Sequence, residues 1–160
     1  MTPTLHFEDA VRRRLNGDAQ KIALDFAVFM RENVFLSVKD VEWSMKYNGH
    51  NFGCFTIAKM TGAEKDELWI WFGLDCDFDS CGPADDALKE AAWAHVAICP
   101  QRNYCSGFCK ASQNQWKIFG KEYKSACHAP LAFCNPDAKT MEYVKKLMLM
   151  LKNNSIDKES

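Results

Sequence analysis

The chain lacks an excess of either charge. Its 20 Lys and Arg stand against 21 Asp and Glu, a formal net charge of −1 over 160 residues. That balance gives no electrostatic reason to expect nucleic acid or an anionic membrane as the partner. Nowhere do 18 apolar residues run consecutively, so a membrane-spanning helix is not expected. The opening MTPTLHFEDAVRRRLNGDAQ has no apolar h-region and no small-residue cleavage site, so secretory export is not expected either. The expected compartment is the cytosol, where thiols stay reduced. Internal repeats and low-complexity segments are missing. So are a Gly-rich phosphate loop, a G-x-S-x-G elbow and an H-E-x-x-H helix. With these marks of nucleotide binding, serine hydrolysis and zinc proteolysis absent, the chain reads as a binding protein before it reads as an enzyme.

What is present supports one folded domain. A chain of 160 residues buries roughly 70% of its unfolded surface, enough for a core without staples. Hydrophobic residues make up 48% and charged residues 26%, and the aromatics include 5 Trp and 11 Phe. The expected domain is residues 1–152, with 153–160 as a polar tail.

The apolar periods predict the elements. Val11 to Leu15 suggests a short first helix, broken at Gly17. Ile22, Phe26, Phe29, Met30 and Val34 recur at helical spacing and predict an amphipathic helix over 18–33. From Val41 to Tyr47 the period is two, and Asn48-Gly49 signals a hairpin. Further strands are expected at 54–59 and 68–74, the latter apolar on both faces. Together they predict an antiparallel meander. Asp85 or Asp86 fits the cap of a helix running to His95. Residues 115–119 and 122–124 predict a hairpin turning at Gly120-Lys121, and 131–133 a short strand. Asn135 as N-cap and Pro136 as first helical residue predict a final helix with Met141, Val144, Leu147, Met148 and Leu151 on its buried stripe. The expected class is α+β: a two-layer sandwich whose meander sheet is packed by N- and C-terminal helices.

Five of the eight cysteines fall between Cys99 and Cys134, spaced Cys99-x5-Cys105-x3-Cys109-x17-Cys127-x6-Cys134. In a reducing compartment such a cluster points to a metal before disulfides. Zinc takes four sulfur or imidazole ligands in a tetrahedron. Cys99, Cys105, Cys109 and Cys127 are the expected set, with Cys134 or His128 in reserve. The segment 99–114 has no apolar period, and an ion would close it against the following hairpin. Buried thiols, an iron–sulfur cluster and redox disulfides are the alternatives.

Four further features offer candidate roles. Asp75, Asp77 and Asp79 resemble the start of a calcium loop, but Ser80 replaces the required Gly, so a solvated acidic turn is the simpler reading. Cys76 and Cys81 would extend the metal site, and His95 would serve as a ligand or as a hydrogen-bond donor to one, each against a plain structural role. Trp69 and Trp71 share one strand face while Ile70 and Phe72 take the other, so one face must meet something besides the main helices. A ligand, the cysteine-rich lobe or a homodimer partner would serve.

The element order, with the strands Trp43–Tyr47 and Leu68–Leu74, resembles the small frataxin-like bacterial domains over residues 18–97. The resemblance implies an α+β fold and iron handling, and the cysteine-rich stretch departs from it. The expected function is a cytosolic zinc-binding module that holds a small ligand or a protein partner. Iron handling and thiol-based redox sensing are the alternatives.

Overall fold

The computed structural model describes residues 3–35, 43–59, 64–73, 76–98, 115–124 and 126–159. Two helices lead: α1 (Pro3–Arg14) and α2 (Gly17–Glu32). The strands β1 (Trp43–Tyr47), β2 (His50–Ala58) and β3 (Glu67–Phe72) follow, then α3 (Asp86–Ala94) and β4 (Val96–Ile98). The hairpin β5 (Gln115–Ile118) and β6 (Lys121–Lys124), the long strand β7 (Ala126–Cys134) and α4 (Ala138–Glu159) complete the described chain.

The expected meander is present as β1-β2-β3, and it is extended. The main sheet is antiparallel in the order β1-β2-β3-β7-β4, while β5 and β6 pair only with each other. Most of β7 is not legible in the sequence, because Ala126-Cys-His-Ala-Pro carries neither alternation nor strong β-propensity, and the three-residue β4 is too short to show a period. Pairing with β3 and β4 makes β7 a strand. Pro130 cannot donate to a ladder, and it sits where the β4–β7 register slips, between the pairs Val96↔Leu131 and Ile98↔Ala126.

One sheet face carries Phe55, Ile57, Leu68, Ile70, Phe72, Leu131 and Phe133, each at most 2% exposed. Helices α1, α2 and α4 supply Phe7, Phe26, Met30, Met141, Val144 and Met148 to the same core. Phe7 and Phe26 meet Phe55 edge-on at 4.7 and 5.3 Å between centroids. Burying each such ring stabilises the fold by roughly 1.5–3 kcal/mol. Helices α2 and α4 run in the same direction. Lys152 Nζ donates to Asn33 O at the C-terminal end of α2, at 2.7 Å, and Lys145 pairs with Asp25 midway along.

Strand β2 begins at His50, four residues before the expected 54, and four further boundaries differ from expectation. Helix α1 begins at Pro3, well before Val11, with Phe7 and Val11 buried on its inner side. The second hairpin turns at Phe119-Gly120 (φ 48° and 89°), one residue before the expected Gly120-Lys121. Its geometry matches Asn48-Gly49 (φ 49° and 80°), as a two-residue turn with both φ positive demands. The cap of α4 is Asp137, not Asn135: Asp137 Oδ1 accepts from Thr140 N at 2.8 Å. Asn135 instead takes a left-handed φ of 44°. It clasps Leu68 of β3, donating N–H to Leu68 O at 2.7 Å and accepting Leu68 N–H at its Oδ1 at 2.9 Å. Finally, α4 runs through the expected tail to Glu159, with Ser155 only 3% exposed.

Candidate metal centre and its surroundings

Cys99, Cys105 and Cys109 lie outside the described residues. Cys127 and His128 stand at the start of β7 and Cys134 at its end. Seven strand residues at ~3.3 Å each separate the Cys127 and Cys134 positions by about 23 Å along β7. Ligands of one zinc ion sit about 2.3 Å from it, so these two thiols cannot share an ion. The structure does close the base of the cysteine-rich stretch. Ile98 of β4 lies opposite Ala126 of β7, and in the chain Cys99 follows Ile98 while Cys127 follows Ala126. The two residues that lead into these thiols are therefore cross-strand neighbours, about 5 Å apart.

Cys134 has its own environment. It lies opposite Trp69 on β3 and donates its thiol to Glu67 Oε2 at 3.2 Å. Burial of the sulfur, then the hydrogen bond and charge of Glu67, push the thiol up to about 12, although the residue as a whole is exposed. A thiol held protonated is a poor nucleophile and a poor ligand. Sequence reading missed Glu67 because it lies 67 positions away, and only the β3–β7 register joins the two.

Two further thiols, Cys76 and Cys81, serve the fold. Cys76 Sγ donates to Phe52 O at 3.1 Å and Cys81 Sγ to Phe78 O at 3.6 Å, both buried. Hydrogen-bonded thiols beneath a loop act as small apolar residues with weak donors. They account for Cys76 and Cys81 without a metal.

The acidic loop is a tether. Asp77 Oδ1 accepts from Ser80 N at 3.1 Å within the loop. Asp79 reaches across to the β5–β6 hairpin: its Oδ1 accepts from Gly120 N at 2.9 Å and its Oδ2 lies 3.7 Å from Lys117 Nζ. Phe78 packs on Trp116 at 5.7 Å. Trp93 of α3 holds the same hairpin, donating Nε1–H to Ile118 O at 2.8 Å, with Lys121 Nζ 3.8 Å above its ring. Carboxylates with separate duties do not form a calcium loop, and Asp75 falls outside the described residues. As expected, Asp85 caps α3, accepting Leu88 N–H at 2.8 Å.

His95 ends α3, with Nδ1 2.7 Å from Ala91 O and its ring stacked 4.5 Å from Phe133. A ring so fixed behaves as a helix-end residue, although its Nε2 takes no part in the bond to Ala91. His50 stacks on Phe52 at the start of β2, 6.1 Å away.

On the second sheet face Trp69 and Trp71 stack at 5.6 Å and 13°. Cys54 and Ala132 lie across from Trp71, and Thr56 and Cys134 across from Trp69. Trp71, Ala97 and Ala132 form a small second core, with Cys54, Trp69 and Ala129 packed on it. The expected division of the two Trp from Ile70 and Phe72 holds. The small flanking residues leave room for both indoles.

Among the described residues no group of three His, Cys, Asp or Glu side chains is placed to hold a metal, and no helix is long and apolar enough to cross a membrane. No family model, curated protein or solved structure matches the chain.

Proposed function

We propose that the chain is a cytosolic binding module in which a zinc-type ion clamps the cysteine-rich stretch onto the sheet. The ligands in this reading are Cys99, Cys105, Cys109 and Cys127, with His128 in reserve. Cys134 leaves the reserve, because its proton is held by Glu67 at 3.2 Å. The observation that carries the reading is the Ile98↔Ala126 pair, which sets the last residue of β4 beside the first of β7, each one position before a cysteine of the set, Cys99 and Cys127. A stretch of 16 residues, 99–114, without apolar period then starts at this junction. It needs some other source of folding free energy, and a tetrahedral thiolate site supplies it.

Elemental analysis of the purified protein alongside a free-thiol count tests this. About one equivalent of zinc and protection of Cys99, Cys105, Cys109 and Cys127 from alkylation are expected. A chelator should then release the ion and weaken the near-UV circular dichroism. Absence of metal, with all four thiols reacting at once, ends the reading. Of the alternatives, iron handling by the acidic loop has little support, because Asp77 and Asp79 are committed to backbone and hairpin. Thiol redox chemistry at Cys134 is opposed by its raised pKa.

A further inference from the structure

Asn-Gly occurs twice in the chain, at Asn16-Gly17 and at Asn48-Gly49. The dipeptide carries a chemistry of its own. The glycine amide nitrogen, unhindered by a Cβ, attacks Cγ of the asparagine side chain. A carbon–nitrogen bond forms, ammonia leaves, and a five-membered succinimide results. Water then opens the ring at either carbonyl, giving aspartate or isoaspartate. No oxidant or reductant takes part. Backbone geometry sets how readily each dipeptide enters this reaction.

Ring closure needs Cβ and the next nitrogen eclipsed about the Cα–C bond, which tetrahedral geometry at Cα places at a ψ of about −120°. Asn16, the N-cap of α2, is extended with ψ 173°, so a rotation of about 65° reaches closure. Little resists it. The Asn16 side chain makes no cap hydrogen bond, and the residue is exposed to water. Its carbonyl accepts Gln20 N–H at 3.3 Å, long for such a bond.

Asn48 is held otherwise. With φ 49° followed by 80° at Gly49, it is the first central residue of a type I′ turn, where ψ is about +30°. That lies about 150° from closure. Leaving the turn gives up the Tyr47↔His50 pair that closes the hairpin. One hydrogen bond lost on the way slows the reaction about fivefold to tenfold.

We propose that Asn16-Gly17 is a site of spontaneous deamidation, with water as the co-reactant, and that the β1–β2 turn shields Asn48-Gly49 from the same reaction. Aspartate in place of Asn16 keeps the backbone and suits both the N-cap position and the helix dipole. Isoaspartate routes the main chain through the side chain. It adds a methylene between the buried Leu15 and α2, and it displaces the carbonyl that Gln20 uses. The inference involves no ion and no partner, so it stands or falls apart from the function proposed above.

The test incubates the full chain at mildly alkaline pH and follows both positions by peptide mass spectrometry that distinguishes isoaspartate from aspartate. Asn16 should convert about fivefold or more faster than Asn48 in the folded protein. In urea, with the turn gone, the two should convert at similar rates. Asn16→Ser keeps a capping residue and should remove the fast product. Asn48 converting as fast as Asn16 in the folded chain overturns the proposal. So does a folded-state rate at Asn16 about tenfold or more below its rate in urea, because the junction would then protect it as well.

Discussion

Thiol–disulfide exchange at Cys134 should be slow, and the structure says by how much. Its pKa lies at about 12 against an ordinary 9.0, with burial and then Glu67 as the causes. At pH 8 an unperturbed thiol is about one-tenth thiolate, whereas one at pKa 12 is about one ten-thousandth, a suppression of about 10³. Higher basicity restores part of this. A Brønsted slope of about 0.4–0.5 over three units makes each thiolate about 20-fold more nucleophilic. The net expectation is a rate about 50-fold below an ordinary thiol. Water at this exposed residue screens Glu67, which makes that figure a ceiling, and about tenfold is the least the reasoning allows. The assay is reaction with an aromatic disulfide at pH 8, quenched and read by peptide mass spectrometry. That readout separates Cys134 from the other seven cysteines of the eight. Glu67→Gln removes the charge but not the burial, so it should recover only part of the rate. If Cys134 reacts as fast as an unfolded-chain thiol, the Glu67 contact is not what governs it, and redox chemistry at this position returns to consideration.

Val34 ends α2 in a left-handed conformation, φ 64°, while 65% exposed. That backbone costs a β-branched residue about 1–2 kcal/mol. Glycine gives back about 0.5–1 kcal/mol through its freer unfolded chain. Val34→Gly should therefore stabilise by about 0.5–1 kcal/mol and raise Tm by about 1–4 °C in a calorimetric scan; a fall in Tm contradicts the strain argument. Gly53→Ala should do the reverse, because the added Cβ would lie 1.9 Å from Trp71 O. Strands β2 and β3 would have to part, at about 3 kcal/mol or more in a urea titration, and a loss under 1 kcal/mol would disprove the close approach. The caps Asp85 and Asp137 have lowered pKa values, each chiefly from accepting a backbone N–H, of Leu88 and of Thr140. A depressed carboxylate contributes stability above its unfolded pKa of about 3.9 and loses it as pH falls through its lower folded value. Between about pH 5 and 3, the native protein should therefore lose more stability than the Asp85→Asn, Asp137→Asn variant, whose caps do not titrate; parallel pH profiles would remove the caps from the acid response.

What the sequence reveals and conceals here divides by the range of the interaction. Helix α2, the β1–β2–β3 meander and the α3 cap are written in local period and turn chemistry, as in Asn48-Gly49 and Asp85, and each lies close to where that chemistry places it. Strand β7 is not. Ala126–Cys134 becomes a strand only because Leu68 to Phe72 offers an open ladder on one side and Val96 to Ile98 a short one on the other, and no window of the sequence contains both partners. The same holds for the end of α4. Asn-Pro-Asp reads as cap, first turn and acid, yet Asn135 is taken by Leu68, so the cap passes two residues on to Asp137. The candidate site follows this division. Its thiol spacing was plain from composition, but the distance between Cys127 and Cys134 depends on both lying in one strand. Once β7 is recognised as continuous, the reserve position 134 and the core position 127 stand at opposite ends of that strand, and Cys134 becomes the partner of Glu67 rather than of an ion.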